Sequence, residues 1–216
     1  MAKELHKVVF ELKDEVKQMG QLCLEMLDKS MEALINQDVR LANEVVVKKD
    51  FIRKYDAEIE AKALRMIALY QPMAIDLRRI ATILKIITYL ARIGRYGKDI
   101  ASYVEELSVK PYPASSVNLK HMWEHVKTMI QDSIQAFEQS DIELLRDFTK
   151  RDDEIDEMRW SIFRELLTYM MEDPKVITSC AFFMIISRYL ERCADNACKI
   201  AEKVHYMVTG EHIEIS

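Results

Sequence analysis

Apolar residues recur every three or four positions along most of this chain, which is the pattern of helices that bury one face. In the first such stretch, Val9, Leu12, Val16 and Met19 lie at this spacing. Short polar or proline-containing segments interrupt the pattern, and Asp38 is placed to cap the helix that follows it. The interruptions predict six long helices, at about 3–35, 39–70, 72–107, 118–139, 141–172 and 173–210.

The second half of the chain repeats the breaks, caps and prolines of the first half in the same order, about a hundred residues later. The matched positions are Asp38 with Asp141, Ile52 with Ile155, Pro72 with Pro174, Leu90 with Leu190, and Ile100 with Ile200. An internal repeat of this kind indicates a duplicated structural unit. We therefore predict an all-α protein of two tandem three-helix bundles, 1–107 and 118–216, joined by a linker over 108–117.

Composition supports this fold class and narrows the function. Half of the 216 residues are apolar, and four glycines and four prolines are too few for a turn-rich β protein. A net charge of −5 argues against nucleic-acid binding through a basic surface. The apolar run 180–186 is too short to span a membrane, and the charged N-terminus does not resemble a signal peptide, so we expect a cytoplasmic protein. Buried, reduced thiols are expected at Cys23, Cys180, Cys193 and Cys198.

Acidic residues on the last two predicted helices form the most informative cluster. Asp152 and Asp156 are four residues apart and share a helix face, as do Glu191 and Asp195. A tight turn at 173–174 would place the two pairs at the same height on antiparallel helices. Four clustered carboxylates repel one another, and a hard or borderline multivalent cation would relieve that repulsion.

Carboxylate oxygens suit magnesium, calcium, manganese or iron, with zinc as a further alternative. Because Glu191 and Asp195 border the apolar stripe of their helix, we expect this metal site on the bundle surface. The competing interpretation is a solvated acidic face that is neutralised by neighbouring arginines. Those arginines are Arg151, Arg159, Arg188 and Arg192.

The equivalent positions of the first half carry no acids. They are Lys49, Arg53, Ala91 and Arg95. We predict no metal site there. This basic face either pairs with nearby carboxylates or binds an anion, and the carboxylates within reach are Asp50, Asp56 and Asp99.

Three motifs resemble the PhoU family of phosphate-uptake regulators: residues 71–78 (QPMAIDLR), 190–195 (LERCAD) and 208–210 (VTG). The resemblance covers nearly the whole chain. In that family, acidic pairs with this spacing bind metal clusters of iron or other divalent ions. By resemblance, that role falls on Asp152, Asp156, Glu191 and Asp195.

The same resemblance implies a cytoplasmic negative regulator of phosphate uptake. Such a protein works with a phosphate ABC transporter and a sensor histidine kinase, forms a homodimer, and meets the membrane only through its partners. Two alternatives stay open: a metal-free helical scaffold, including an adaptor for another transporter, and a carboxylate-bridged metal enzyme. The enzyme is disfavoured because di-iron bundles carry a Glu-x-x-His motif on each of two helices, and this chain has that spacing only once, at Glu202 and His205.

Overall fold

The structure is a computed structural model and describes residues 2–111 and 116–215. Its helices are α1 (Ala2–Asn36), α2 (Val39–Val47), α3 (Lys49–Tyr70), α4 (Ala74–Ser108), α5 (Ser116–Gln139), α6 (Phe148–Glu172) and α7 (Ile177–Thr209). Short 3₁₀ turns occupy Glu143–Leu145 and Pro174–Val176. Within the described ranges there is no β-strand, and the predicted all-α fold of two three-helix units is confirmed.

The predicted second helix is divided at Lys48 into α2 and α3. The Lys48 N–H donates to the Val45 carbonyl at 3.0 Å, three residues back rather than four. Such a tightened turn changes the helical hydrogen-bond pattern for a residue or two. The sequence does not signal this break, because Lys48 is compatible with a helix interior.

Three predicted helix starts are also displaced. The third predicted helix begins at Ala74 rather than at Pro72, since Gln71 adopts a left-handed conformation (φ 45°) and ends α3. The fifth begins at Phe148 rather than near residue 141, and the sixth at Ile177, because 3₁₀ turns precede both. Of the predicted linker, Ser108 ends α4, residues 109–111 are non-helical, and residues 112–115 lie outside the described part of the chain.

The predicted caps at Asp38 and Gly210 are present, whereas Asp141 does not cap α6, because α6 begins at Phe148. The Asp38 carboxylate accepts the Leu41 N–H at 3.0 Å, which satisfies a free amide at the start of α2. Gly210 adopts φ 84°, and its N–H donates to the Tyr206 carbonyl at 2.9 Å at the end of α7. This left-handed conformation is the usual way in which glycine ends a helix.

Two central helices join the halves. α4 packs along α1 within the first half and along α7 of the second, and α7 also contacts α5 and α6. Polar contacts cross the α4–α7 boundary: Arg78 donates to the Met207 carbonyl at 3.1 Å, and the Tyr103 and Tyr189 hydroxyls lie 3.2 Å apart. One continuous apolar core therefore runs through both halves.

All four cysteines are free and buried in this core, as expected. In the described part of the chain, no helix combines the length and the apolar character needed to cross a bilayer.

Candidate metal centre

α6 and α7 pack side by side and bring the four predicted carboxylates into one electrostatic neighbourhood. Repulsion from Asp195 and Asp156 contributes to a raised pKa at Asp152. The same two residues raise the pKa of Glu191. Asp152 and Asp195 line one cavity, whereas a single cluster of all four carboxylates stays a prediction, and the four residues differ in their surroundings.

Asp152 lies on the inner side of this neighbourhood and is partly buried. The Cys198 thiol approaches its Oδ1 at 3.5 Å and can donate a weak hydrogen bond. Burial is the main cause of the raised pKa of Asp152, and the Cys198 contact opposes it. Asp152 is thus a carboxylate whose charge is poorly compensated by other protein groups.

Glu191 is buried, with 7% of its surface exposed, so the expectation of a surface site is wrong for this residue. Arg188 pairs with both of its carboxylate oxygens, and the Arg159 Nε lies 3.6 Å from Oε1. Burial is the largest influence on the pKa of Glu191 and, together with repulsion from Asp195 and Asp156, raises it despite the two guanidinium groups. Arg159 Nε is itself buried without a hydrogen-bond partner, which leaves an unused donor beside Glu191.

The remaining two acids lie nearer to solvent. Asp156 is exposed on α6. Asp195 is partly exposed and accepts a 2.9 Å hydrogen bond from Arg192, three residues earlier on α7. The competing interpretation, an acidic face balanced by arginines, therefore accounts for Glu191 and Asp195 as they are arranged here.

Among the described residues, no three or more His, Cys, Asp or Glu side chains converge closely enough to hold a metal ion. The chemistry of these side chains nevertheless suits a hard cation, because hard cations prefer oxygen ligands and these carboxylates repel one another. Metal binding here requires Arg188 and Arg192 to release Glu191 and Asp195.

Sequence reasoning missed the C-terminal segment that borders this centre. A cavity of about 380 Å³ is lined by Asp152, Asp195 and Ile215, and also by three cations, Arg92, Arg192 and Lys199. Ile215 is buried, and its N–H donates to Glu202 Oε1 at 3.1 Å. Its signal in the sequence is weak: an isolated apolar residue beyond the helix-ending Gly210.

The basic positions of the first half also come together, as their spacing predicts. Lys49, Arg53, Ala91 and Arg95 line one cavity of about 360 Å³ between α3 and α4. At the aligned positions themselves, the first half carries bases or alanine where the second half carries acids.

Comparisons with known proteins agree with the duplication. The model of the PhoU domain matches the chain twice, at residues 16–104 and 119–204. A relative from Aquifex aeolicus, named phosphate-specific transport system accessory protein PhoU homolog, is 40% identical over 98% of this chain and 96% of its own. A relative from Clostridium acetobutylicum with the same name is 34% identical over 95% of this chain and 94% of its own.

Two solved structures share the fold closely. The crystal structure of PhoU from Pseudomonas aeruginosa superposes with a TM-score of 0.91 at 32% identity, over 95% of this chain and 99% of that one. The phosphate transport system regulatory protein PhoU from Streptococcus pneumoniae superposes with a TM-score of 0.87 at 28% identity, over 99% of both chains.

Proposed function

The chain belongs to the PhoU family, and we propose that it is an accessory protein that negatively regulates phosphate uptake. The observation that carries this proposal is whole-chain similarity to relatives named as accessory proteins of the phosphate-specific transport system. A regulator named for phosphate transport has the same fold over 99% of both chains. The proposed role is non-catalytic and is exercised in the cytoplasm.

Regulation would act through docking on a phosphate ABC transporter, on a sensor histidine kinase, or on both. α6 offers a surface of suitable character, because Trp160, Leu167 and Met171 are 49%, 41% and 79% exposed and recur at helical spacing. A row of large exposed apolar side chains is a common mark of an interaction surface. Pairing of two copies of the chain into a homodimer is part of the same proposal.

Phosphate uptake in cells tests the regulatory role. In a strain that lacks its own copy of the regulator, we expect this protein to lower the rate of labelled phosphate uptake. Substitution of Trp160→Ser with Met171→Ser should abolish that effect, while Val47→Ser with Leu69→Ser, at similarly exposed positions, should not. Altered uptake of another solute with unchanged phosphate uptake would instead identify an adaptor for a different transporter.

The metal site is a separate proposal within this function. Asp152, Asp156, Glu191 and Asp195 would hold a divalent or trivalent cation, with iron first and magnesium, manganese, zinc or calcium as alternatives. A bound cation would supply positive charge, for structure or for bridging to a partner, rather than a reaction. Support comes from the mutual repulsion of these acids and from the poorly compensated charge of Asp152.

Elemental analysis of the purified protein after loading with iron, manganese and magnesium tests this site. Metal should be present in the parent and lost in the Asp156→Ala, Glu191→Ala double variant. A matched control is Asp50→Ala with Glu60→Ala, which removes two acids from the first half. Metal retained in the Asp156→Ala, Glu191→Ala variant would place the site elsewhere, and a metal-free parent would leave an arginine-balanced acidic face.

A further inference from the structure

The cavity between α3 and α4 has an excess of positive charge. Its lining includes four cationic side chains, Lys49, Arg53, Arg95 and Lys98, and two carboxylates, Asp56 and Asp99. It has a volume of about 360 Å³. Pockets of this size lie at the small end of those that hold ligands in proteins.

The positive charges in the cavity are weakly neutralised by the protein. Lys98 pairs with Asp99 at 3.0 Å, but Arg53 lies 3.8 Å from Asp50 and both of those side chains are largely exposed. Exposed pairs of this kind contribute little. Across the described residues, neither Lys49 nor Arg95 has a carboxylate within the 4.0 Å limit of an ion pair. The alternative of full pairing with neighbouring acids is therefore not realised.

The cavity has walls on two helices, so cations of α3 and α4 line the same space at the protein surface. Gly94 forms part of the α4 wall, where a Cβ would lie 3.1 Å from the Ile52 Cγ1 on α3. Ile52 is buried and anchors the other wall. Close approach of the two helices at Gly94 therefore leaves Lys49 and Arg53 of α3 lining the same cavity as Arg95 of α4.

We propose that this cavity binds a phosphate group through Lys49, Arg53 and Arg95. Guanidinium groups donate pairs of hydrogen bonds that match the oxygens of a tetrahedral oxyanion, and a lysine adds a compact positive charge. Asp56 and Asp99 line the same cavity, and a carboxylate can accept a hydrogen bond from the P–O–H group that hydrogen phosphate carries near neutral pH. Sulfate carries no such proton, so the cavity prefers phosphate to sulfate.

The bound phosphate group has two natural sources, inorganic phosphate and the headgroup of an acidic lipid. Isothermal titration calorimetry of the full chain with inorganic phosphate at low ionic strength tests the first source. The parent should bind phosphate saturably and more tightly than sulfate. Lys49→Gln with Arg95→Gln should weaken binding at least about tenfold, because two charge-assisted contacts are lost.

The matched control is Arg40→Gln with Arg65→Gln, which removes the same charge from exposed positions outside the cavity. Phosphate affinity in this control should stay within about twofold of the parent, as expected for screened surface charges. Both Lys49 and Arg95 are exposed residues, so the double variant is expected to fold, and its circular dichroism and melting temperature verify this.

Vesicle flotation distinguishes the second source. Vesicles that contain phosphatidic acid are compared with vesicles of phosphatidylcholine alone, for the parent and both double variants. Retention on phosphatidic acid that requires Lys49 and Arg95, without binding of inorganic phosphate, assigns the cavity to a lipid headgroup. Binding of inorganic phosphate without retention on vesicles assigns it to the free ion.

Two outcomes would overturn the proposal. One is the absence of binding to both probes. The other is binding that the Lys49→Gln, Arg95→Gln variant retains at the affinity of the parent. Phosphate binding at this cavity does not depend on the regulatory role proposed above, because the titration uses the purified chain without transporter or kinase.

Discussion

Alanine substitutions at Gly97 on α4 and Gly20 on α1 ask what sets the cost of adding a methyl group between packed helices. That cost could depend on the distance to the nearest atom, or on how readily that atom moves. A Cβ at Gly97 would lie 3.3 Å from the backbone nitrogen of Leu27 and 3.4 Å from the carbonyl carbon of Met26. A Cβ at Gly20 would lie closer to its neighbour, 2.6 Å from Ile134 Cδ1. The first contact meets helix backbone, and the second meets the end of a flexible side chain.

The two Gly→Ala substitutions should therefore differ in their net effect on the free energy of unfolding. Alanine gains about 0.5–1 kcal/mol over glycine inside a helix. At Gly97 the α1 backbone must shift, and overpacking of this kind costs about 1–3 kcal/mol, so we expect a net loss of about 1 kcal/mol. At Gly20, Ile134 can rotate at a cost of about 0.5–1.5 kcal/mol, which roughly cancels the gain.

Urea denaturation with thermal melting measures both changes. For a chain of this size, about 1 kcal/mol lowers the melting temperature by about 2–4 °C, so Gly97→Ala should melt lower than the parent and Gly20→Ala close to it. A larger loss at Gly20 than at Gly97 would refute the reasoning. It would show that the length of the contact, rather than the stiffness of the atom contacted, sets the cost.

Three further predictions concern buried thiols, pH and the joint between the halves. Burial raises the pKa of Cys23 to about 12, so iodoacetamide should label this thiol far more slowly in the native protein than in urea. Mass spectrometry would measure the two labelling rates. Equal rates would contradict the burial of Cys23. Burial, with a smaller contribution from Glu60, raises the pKa of Asp56, so its ionised form destabilises the fold once the pH exceeds the folded pKa. Asp56→Asn should therefore raise the melting temperature at pH 7, and the gain should shrink in acid; a gain that grows in acid would reverse the sign. Asp28 on α1 accepts hydrogen bonds from Lys127 Nζ at 2.6 Å and from an indole N–H on α5, and these contacts connect the two halves. Asp28→Ala should therefore lower the free energy of unfolding by about 1 kcal/mol, as measured by urea denaturation. An unchanged denaturation midpoint would show that these contacts contribute nothing to stability.

Much of the candidate site follows from sequence because helix periodicity and antiparallel pairing are simple geometry. Spacing by four places Asp152 with Asp156 and Glu191 with Asp195, and the turn near Pro174 returns α7 along α6, so that Asp152 and Asp195 line one cavity. The same geometry predicts the basic cavity at the equivalent first-half positions. Whether the acidic centre holds a metal stays a prediction.

What the sequence determined by itself is local or repetitive: the all-α class, the duplicated order of helices, and the caps at Asp38 and Gly210. These features depend on residues within a few positions of one another, so periodicity and capping preferences are enough to find them. The pairing of α4 with α7 depends on faces that are far apart in the chain. Only the tertiary structure decided it.

The break at Lys48, the burial of Glu191 between Arg188 and Arg159, and the return of Ile215 over α7 also came from tertiary packing. In each case, the position of a side chain or of a backbone turn depends on contacts with neighbouring groups, and the spacing of residues in the sequence does not reveal those contacts. The sequence therefore determined which charges lie together, and the packing decided which of them are neutralised, buried or left open to a ligand.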